Sequence, residues 1–243
     1  RDERVWATRA GRVSFVSEDE AALFQNAGAP KHVEVLAIPN GVDATNFDPN
    51  LTHVDPKPGS GPRVVFVGAM DYWANVDAVK WFVEACWPRI IAEVPEAQFQ
   101  IVGRHPTSEV QRLAGPNVLV TGGVEDVRAW VAHADLVVAP LRIARGIQNK
   151  VLEAMAMARP IVATPEALEG IRLPEHLHES MCAKDPDVFA AKVCELLGTR
   201  ARVEGPNSGG NCGPNDGPNY RQFVLDHYSW QAAARSLERV FAD

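Results

Sequence analysis

From Arg63 onward the chain alternates short apolar blocks with segments of helical period. The run Val64-Val65-Phe66-Val67 has no polar break, which predicts a strand covered on both faces in a parallel sheet. Strands are expected at Arg63–Val67, Gln98–Val102, Val118–Thr121, Asp135–Ala139 and Ile161–Ala163, with a weaker sixth near Ser180–Ala183. Helices are expected from Asn75 to about Val94, and at Ser108–Leu113, Val124–His133, Gln148–Met157 and Pro186–Leu197. Strand and helix in alternation predict an α/β domain with a doubly wound parallel sheet.

The flanks are less regular. Val13–Ser17 reads as a strand, Glu18–Phe24 as a helix capped by Ser17, and Val33–Ile38 as another strand. Two strands and one helix cannot bury a core of their own, so residues 1–50 are expected to be a remnant of a different domain. Residues 51–62 are rich in Pro and Gly and read as a linker. Residues 63–227 then hold the regular domain, with a mobile Gly-, Pro- and Asn-rich loop expected at about 203–219. A last helix is expected from about Trp230 to Phe241, within residues 228–243. The chain opens on Arg1-Asp2-Glu3-Arg4 without Met or a signal-like apolar stretch, which reads as a fragment or a processed product.

Composition narrows the chemistry. With 243 residues, 46% of them hydrophobic, the chain can bury a core, and its net charge of -7 argues against nucleic-acid binding through a bulk positive field. Any phosphate chemistry must come from a local cluster. Cys86, Cys182, Cys194 and Cys212 show neither zinc spacing nor disulfide density, so free thiols in a reducing cytoplasm are expected. No apolar run approaches the roughly 20 residues that span a bilayer.

In open α/β sheets ligands bind beyond the carboxyl ends of the strands. Those exits are Gly68-Ala69-Met70-Asp71, Gly103-Arg104-His105, Gly122-Gly123, Pro140-Leu141-Arg142 and Thr164-Pro165-Glu166. Glycine there either admits a ligand to the backbone or simply ends a strand. The segment Pro140–Met157 is the richest. Between Asp135 and Glu153 it carries Arg142, Arg145 and Lys150 and no anion. A helix starting near Ile147 would aim its amino end and these cations at the mouth of the sheet, which suits a diphosphate. The competing reading is a surface ion pair between Lys150 and Glu153, three apart on one helix face. Elsewhere, Tyr72-Trp73 either stacks on a ligand or packs, Asp71 either binds a hydroxyl or caps the helix at Asn75, and His105 is either a donor contact or a solvated loop residue. His176 and His178 lie in a charged loop without a third ligand, so no metal site is expected. No Gly-x-Ser-x-Gly, P-loop or Gly-x-Gly-x-x-Gly motif occurs, which demotes hydrolase, NTPase and dehydrogenase readings.

Several motifs in order resemble a known family. Gly146-Ile147-Gln148-Asn149-Lys150-Val151-Leu152-Glu153-Ala154-Met155-Ala156, followed by Arg159-Pro160-Ile161-Val162-Ala163-Thr164, resembles the donor-site signature of retaining GT-B glycosyltransferases of family 4. Ile38-Pro39-Asn40-Gly41-Val42-Asp43 resembles the turn where that family's first domain meets its second. Gly68-Ala69-Met70-Asp71-Tyr72-Trp73-Ala74-Asn75-Val76-Asp77 and Ile101-Val102-Gly103-Arg104 are similar to a bacterial exopolysaccharide-associated subgroup of sugar transferases. The resemblance implies the carboxyl-terminal half of a GT-B fold, a Rossmann-like domain for a nucleoside-diphosphate sugar, with a final helix returning toward the first domain.

By the same resemblance Glu153 takes the ribose hydroxyls, and Lys150 neutralises donor phosphate with Arg142 or Arg145 assisting. The implied donor-site set is Gly68, Asp71, Gly103, Arg104, Arg142, Gly146, Ile147, Gln148, Asn149, Lys150 and Glu153, with Lys150 and Arg145 in the catalytic role of charge stabilisation. No metal or other cofactor is implied. The implied partners are the nucleotide-sugar and a carbohydrate or lipid-linked acceptor held by the first domain, with the full-length protein in the cytoplasm or peripheral to the inner face of the membrane. The fragment itself is expected not to transfer sugar. A GT-B sugar-nucleotide epimerase and a non-catalytic nucleotide-binding module remain alternatives. Three positions depart from the family: Arg145 stands eight residues before Glu153, where the family has a second glutamate, Met70 replaces a phosphate-binding arginine, and Ala158 replaces a common glycine, a change that reads as mild.

Overall fold

The structure, a computed structural model, describes residue 7, residues 9–204 and residues 219–241. Most of the loop expected at 203–219, with Cys212, lies outside the described residues. In chain order the elements are β1 (Arg12–Phe15), α1 (Glu18–Asn26), β2 (Glu34–Ala37), β3 (Arg63–Val67), α2 (Trp73–Trp81), a π turn (Phe82–Cys86), α3 (Trp87–Glu93), β4 (Gln98–Val102), α4 (Ser108–Gln111) and β5 (Val118–Gly122). They continue as α5 (Val127–Ala132), β6 (Leu136–Ala139), α6 (Asn149–Ala156), β7 (Ile161–Ala163), α7 (Pro165–Leu168), α8 (Glu175–Met181), α9 (Pro186–Glu204), α10 (Tyr220–His227) and α11 (Trp230–Phe241).

Five strands form one sheet in the order β5-β4-β3-β6-β7, parallel throughout. The chain winds outward from β3 through β4 to β5, then returns to place β6 on the other side of β3. This is a Rossmann-like α/β domain, and the carboxyl ends of β3 and β6 flank its topological switch point. Val64, Val65, Phe66, Leu136, Val138 and Ile161 are buried, and each such side chain stabilises the fold by about 1.5–3 kcal/mol. β1 and β2 pair separately, also in parallel, with α1 between them.

The expected single helix from Asn75 to Val94 is interrupted at Phe82–Cys86 by the π turn. Pro88 supplies a physical reason, because it has no N–H to continue the α ladder and its ring crowds the carbonyl four residues back. The offset turns Phe82 inward, 4.6 Å from Phe99 and 5.8 Å from Phe189 between ring centroids. The expected sixth strand shrinks to one bridge between Ala163 and Cys182. Ser180 and Met181 belong instead to α8, where Leu177 and Met181 are buried. The charged loop expected around His176 and His178 is that same helix. Helices α7 and α10 were likewise not expected from the pattern.

The upstream strip is stitched to the last helices. Val42 N–H donates to the Tyr228 carbonyl at 2.7 Å, and the Trp230 indole N–H donates to the Gly41 carbonyl at 3.1 Å. Arg221 of α10 donates to the carbonyls of Phe47 (2.8 Å) and Ala44 (3.2 Å), and to that of Ala156 at the end of α6. A guanidinium at a helix carboxyl end suits the helix dipole and fixes the turn at residues 40–47 beside α6. Among the described residues no helix is long and apolar enough to cross a membrane.

Ala158 follows α6 at φ 52, and Arg159 N–H reaches back to the Ala154 carbonyl at 3.0 Å. That is a left-handed helix end, where glycine is free of strain and alanine is not. The substitution that reads as mild in the sequence therefore occupies a position that disfavours a side chain.

Candidate donor site at the switch point

The site is built where β3 and β6 end. Gly68 leaves β3 with its N–H bonded to the Val102 carbonyl at 3.0 Å, and Met70 is buried, its N–H on the Arg104 carbonyl at 2.8 Å. A Cβ on Gly103 would stand 1.7 Å from the Gly68 carbonyl oxygen, so the exits of β3 and β4 touch backbone to backbone. A Cβ on Gly68 would meet Asn75 at 2.7 Å and Lys150 Nζ at 3.1 Å. Bare backbone at this exit leaves room for two polar side chains from two different helices.

Lys150 stands in the first turn of α6 and is partly buried. Its ammonium donates to the Asn75 side-chain oxygen at 2.6 Å and sits 4.3 Å from the centroid of the Phe66 ring. Burial pulls its pKa down to about 7, against the opposing charge of Glu153. Glu153 is raised above the usual carboxylate range by burial, with Lys150 opposing. Burial thus disfavours the charged form of each group, and titratable groups perturbed in this way cluster at functional sites. Lys150 is bonded to Asn75 and not to Glu153, so the surface ion pair that the spacing also allowed does not describe it.

The loop into α6 is held by small residues. Gly146 has φ 65, and a Cβ on Gly170 would lie 2.4 Å from the Gly146 carbonyl carbon. Gln148 is the residue before α6, not a member of it, and its amide donates to the carbonyls of Arg145 (3.1 Å) and Gly146 (3.4 Å). It therefore pins the loop and leaves the amino end of α6 without a side-chain cap. The helix begins at Asn149, one residue later than the expected span Gln148–Met157, with Ile147 in the loop and partly buried against the core.

The other expected residues divide. Arg142 is exposed and its guanidinium is held by the Asp77 carboxylate of α2, Nε to Oδ2 at 3.0 Å. Arg104 and Arg145 are exposed. Asp71 does not cap α2: the helix starts at Trp73, with Tyr72 before it, and no side chain accepts its first N–H groups. Tyr72 and Trp73 are 54% and 57% exposed, so neither is a packing residue of the core, and their rings lie 6.2 Å apart. His105 is an exposed loop residue.

Two features of the site carry little or no sequence signal. Asn75 is buried among Ala74, Ala78 and Val79 on the inner face of α2. The available signal was a polar residue on an otherwise apolar helix stripe. The second is a cavity of about 450 Å3 beside α6, lined by Asn40, Gly41, Asp43, Phe47, Glu153 and Trp230. It joins the turn of the upstream strip, α6 and the final helix, three segments far apart in the chain.

A parallel sheet of this order, covered by helices and with Lys150 beside its switch point, defines a Rossmann-like α/β domain, and comparison with known proteins identifies its family. Residues 61–199 match the family described as glycosyl transferases group 1, and the chain belongs to that family. Over 170 residues it is 30% identical to the phosphatidyl-myo-inositol mannosyltransferase of Mycolicibacterium smegmatis, covering 68% of this chain and 43% of that protein. Solved structures give the same fold. A glycosyltransferase from Rickettsia africae superposes with a TM-score of 0.68 at 17% identity, over 95% of this chain and 62% of that one. Anabaena HepE in complex with UDP superposes with a TM-score of 0.65 at 15% identity, over 96% of this chain and 64% of that one. The fold is thus that of GT-B glycosyltransferases. The chain spans under half the length of the mannosyltransferase and under two thirds of each of these solved neighbours.

Proposed function

We propose that this chain supplies the donor-binding side of a retaining GT-B glycosyltransferase of family 4, which passes a sugar from a nucleoside diphosphate to an acceptor hydroxyl in exopolysaccharide or related glycoconjugate synthesis. The observation that carries the reading is the placement of Lys150 in the uncapped first turn of α6, bonded to Asn75 at the exit of β3, in a chain of the glycosyltransferase family. In it, Glu153 accepts hydrogen bonds from the ribose diol, and Lys150 meets the diphosphate beside the uncapped amino end of α6. Charge develops on the leaving diphosphate as the glycosidic bond breaks. An ammonium already desolvated and held in place stabilises that charge without first shedding water. Arg145 lies at the loop edge where a second cation can join, and Arg142 joins if it leaves Asp77.

On this reading residues 63–227 are the donor domain, residues 1–50 belong with the acceptor domain, and residues 51–62 connect them. The acceptor and its proton-accepting base then lie with that first domain, so the 243-residue chain binds donor without transferring sugar. Gly68, Asp71, Gly103, Arg104, Gly146, Ile147, Gln148 and Asn149 complete the donor wall. The reaction uses no metal, and the full-length protein works in the cytoplasm, peripheral to the membrane where its acceptor is lipid-linked. A thermal-shift screen of nucleoside diphosphates and their sugar conjugates tests the reading. A ligand that binds only the folded state raises the melting temperature, by an amount that grows with its concentration over Kd. No shift with any diphosphate would contradict it.

A further inference from the structure

We propose that Asn75 is the positioning residue of the donor site, the side chain that holds the Lys150 ammonium at the exit of β3. The proposal rests on the reading above, in which Lys150 meets the donor diphosphate. Asn75 is only 7% exposed and stands in the first turn of α2, 75 residues from its partner. Its amide N–H2 donates to the Ala69 carbonyl at 2.9 Å, and its oxygen accepts from Lys150 Nζ at 2.6 Å. The two bonds fix which way the amide faces. A flipped amide would set a donor against an ammonium and an oxygen against a carbonyl, leaving both unsatisfied.

The surroundings explain why an amide is suited to this place. Nζ lies over the Phe66 ring, 4.3 Å from its centroid, and Gly68 has no side chain where a Cβ would come within 3.1 Å of it. Oxygen and ring face both attract the ammonium, and neither carries a formal charge. A carboxylate at position 75 would hold the lysine equally well but would cancel the field that a diphosphate needs. The charged group that acts on Lys150 is Glu153 on its own helix, while Phe66 and Gly68 from the β3 segment and Asn75 from α2 are neutral. Asn75 thus orients without neutralising. Because α2 follows β3 and α6 follows β6, the bond also ties together the two sides of the switch point.

The test is a double-mutant cycle on the 243-residue chain, with UDP and GDP as probes and uridine and guanosine as phosphate-free controls, all by calorimetry. Asn75→Ala is expected to weaken the tighter diphosphate roughly tenfold while nucleoside affinity moves by less than about twofold. In a Lys150→Ala background the same substitution should change diphosphate affinity by less than about twofold, because the residue to be positioned is gone. Equal losses for diphosphate and nucleoside, or losses that multiply in the double variant, would overturn the proposal while leaving Lys150 as a ligand. Unchanged diphosphate affinity in Lys150→Ala alone would instead overturn the reading beneath it. Asn75→Asp keeps the shape and guards against a misfolded alanine variant. Its carboxylate should raise the Lys150 pKa and flatten the dependence of diphosphate affinity on pH between about 7 and about 8.5. A profile that still follows wild type would count against Asn75 as the lysine's partner.

Discussion

The carbonyl oxygen of Gly68 fills the place where a side chain on residue 103 would begin, 1.7 Å from the ideal Cβ position. This contact packs the exits of β3 and β4 against each other, beside the place where the Lys150 ammonium meets Asn75. Strand ends are usually permissive to substitution, but here two backbones share one van der Waals shell.

Gly103→Ala is therefore expected to cost several kcal/mol, on the order of 3 or more, because a backbone must move and no flexible side chain can give way. Urea denaturation of the variant measures it. A midpoint equal to wild type would show that the two exits are not in contact.

At Ala158 the expectation has the opposite sign. Its φ of 52 costs an alanine about 1–2 kcal/mol, partly offset by the greater freedom that glycine has when unfolded. Ala158→Gly should stabilise the chain by about 1 kcal/mol, a rise in melting temperature of about 2–4 °C for a domain of this size. A lower melting temperature would mean that α6 does not end in the left-handed turn.

Much of the sheet is legible because its signal is local. The spans Arg63–Val67 and Ile161–Ala163 follow from short apolar runs bounded by turn residues, and Gln98–Val102 from Phe99, Ile101 and Val102 ahead of Gly103; the structure has strands over those residues. Helix α8 is not legible in that way, since Glu175, His176, His178, Glu179 and Ser180 surround its two buried residues and read as a loop. The late start of α6 reflects Gln148, whose amide serves the preceding loop, a choice no periodicity records. For the site, Lys150 and Glu153 stand out as charges in an apolar segment. Asn75 does not, because its role depends on a partner 75 residues away that the fold alone brings within 2.6 Å. The cavity beside Trp230 is hidden for the same reason, its walls coming from three distant segments.

Glu153 offers a prediction about the nucleoside. Glu153→Ala removes the acceptor proposed for the ribose diol, and loss of a charged hydrogen bond should cost about 1.5–3 kcal/mol of nucleoside diphosphate binding. The fold should persist, since the side chain lines a cavity and is not core packing. Calorimetry on the variant checks both, and unchanged affinity would remove Glu153 from the site.

The depressed pKa of Lys150 sets the pH dependence of binding. Below about 7 the ammonium is already charged in the free protein, so its contribution is constant. Above about 7 it must take up a proton to meet a phosphate, so diphosphate affinity should fall as pH rises, by up to about tenfold per pH unit. Titrations between pH 7 and about 9 measure the slope. Lys150→Ala should flatten it, and a slope that survives the substitution would belong to another group.

If Lys150 binds the phosphates of a nucleotide-sugar, its removal must weaken a diphosphate far more than the nucleoside, and the ratio of the two affinity losses measures this. Wild type and Lys150→Ala are titrated with a nucleoside diphosphate and with the matching nucleoside. Lys150→Ala should lose roughly tenfold or more for the diphosphate and almost nothing for the nucleoside. Equal losses for the two ligands, or no loss for either, would contradict it.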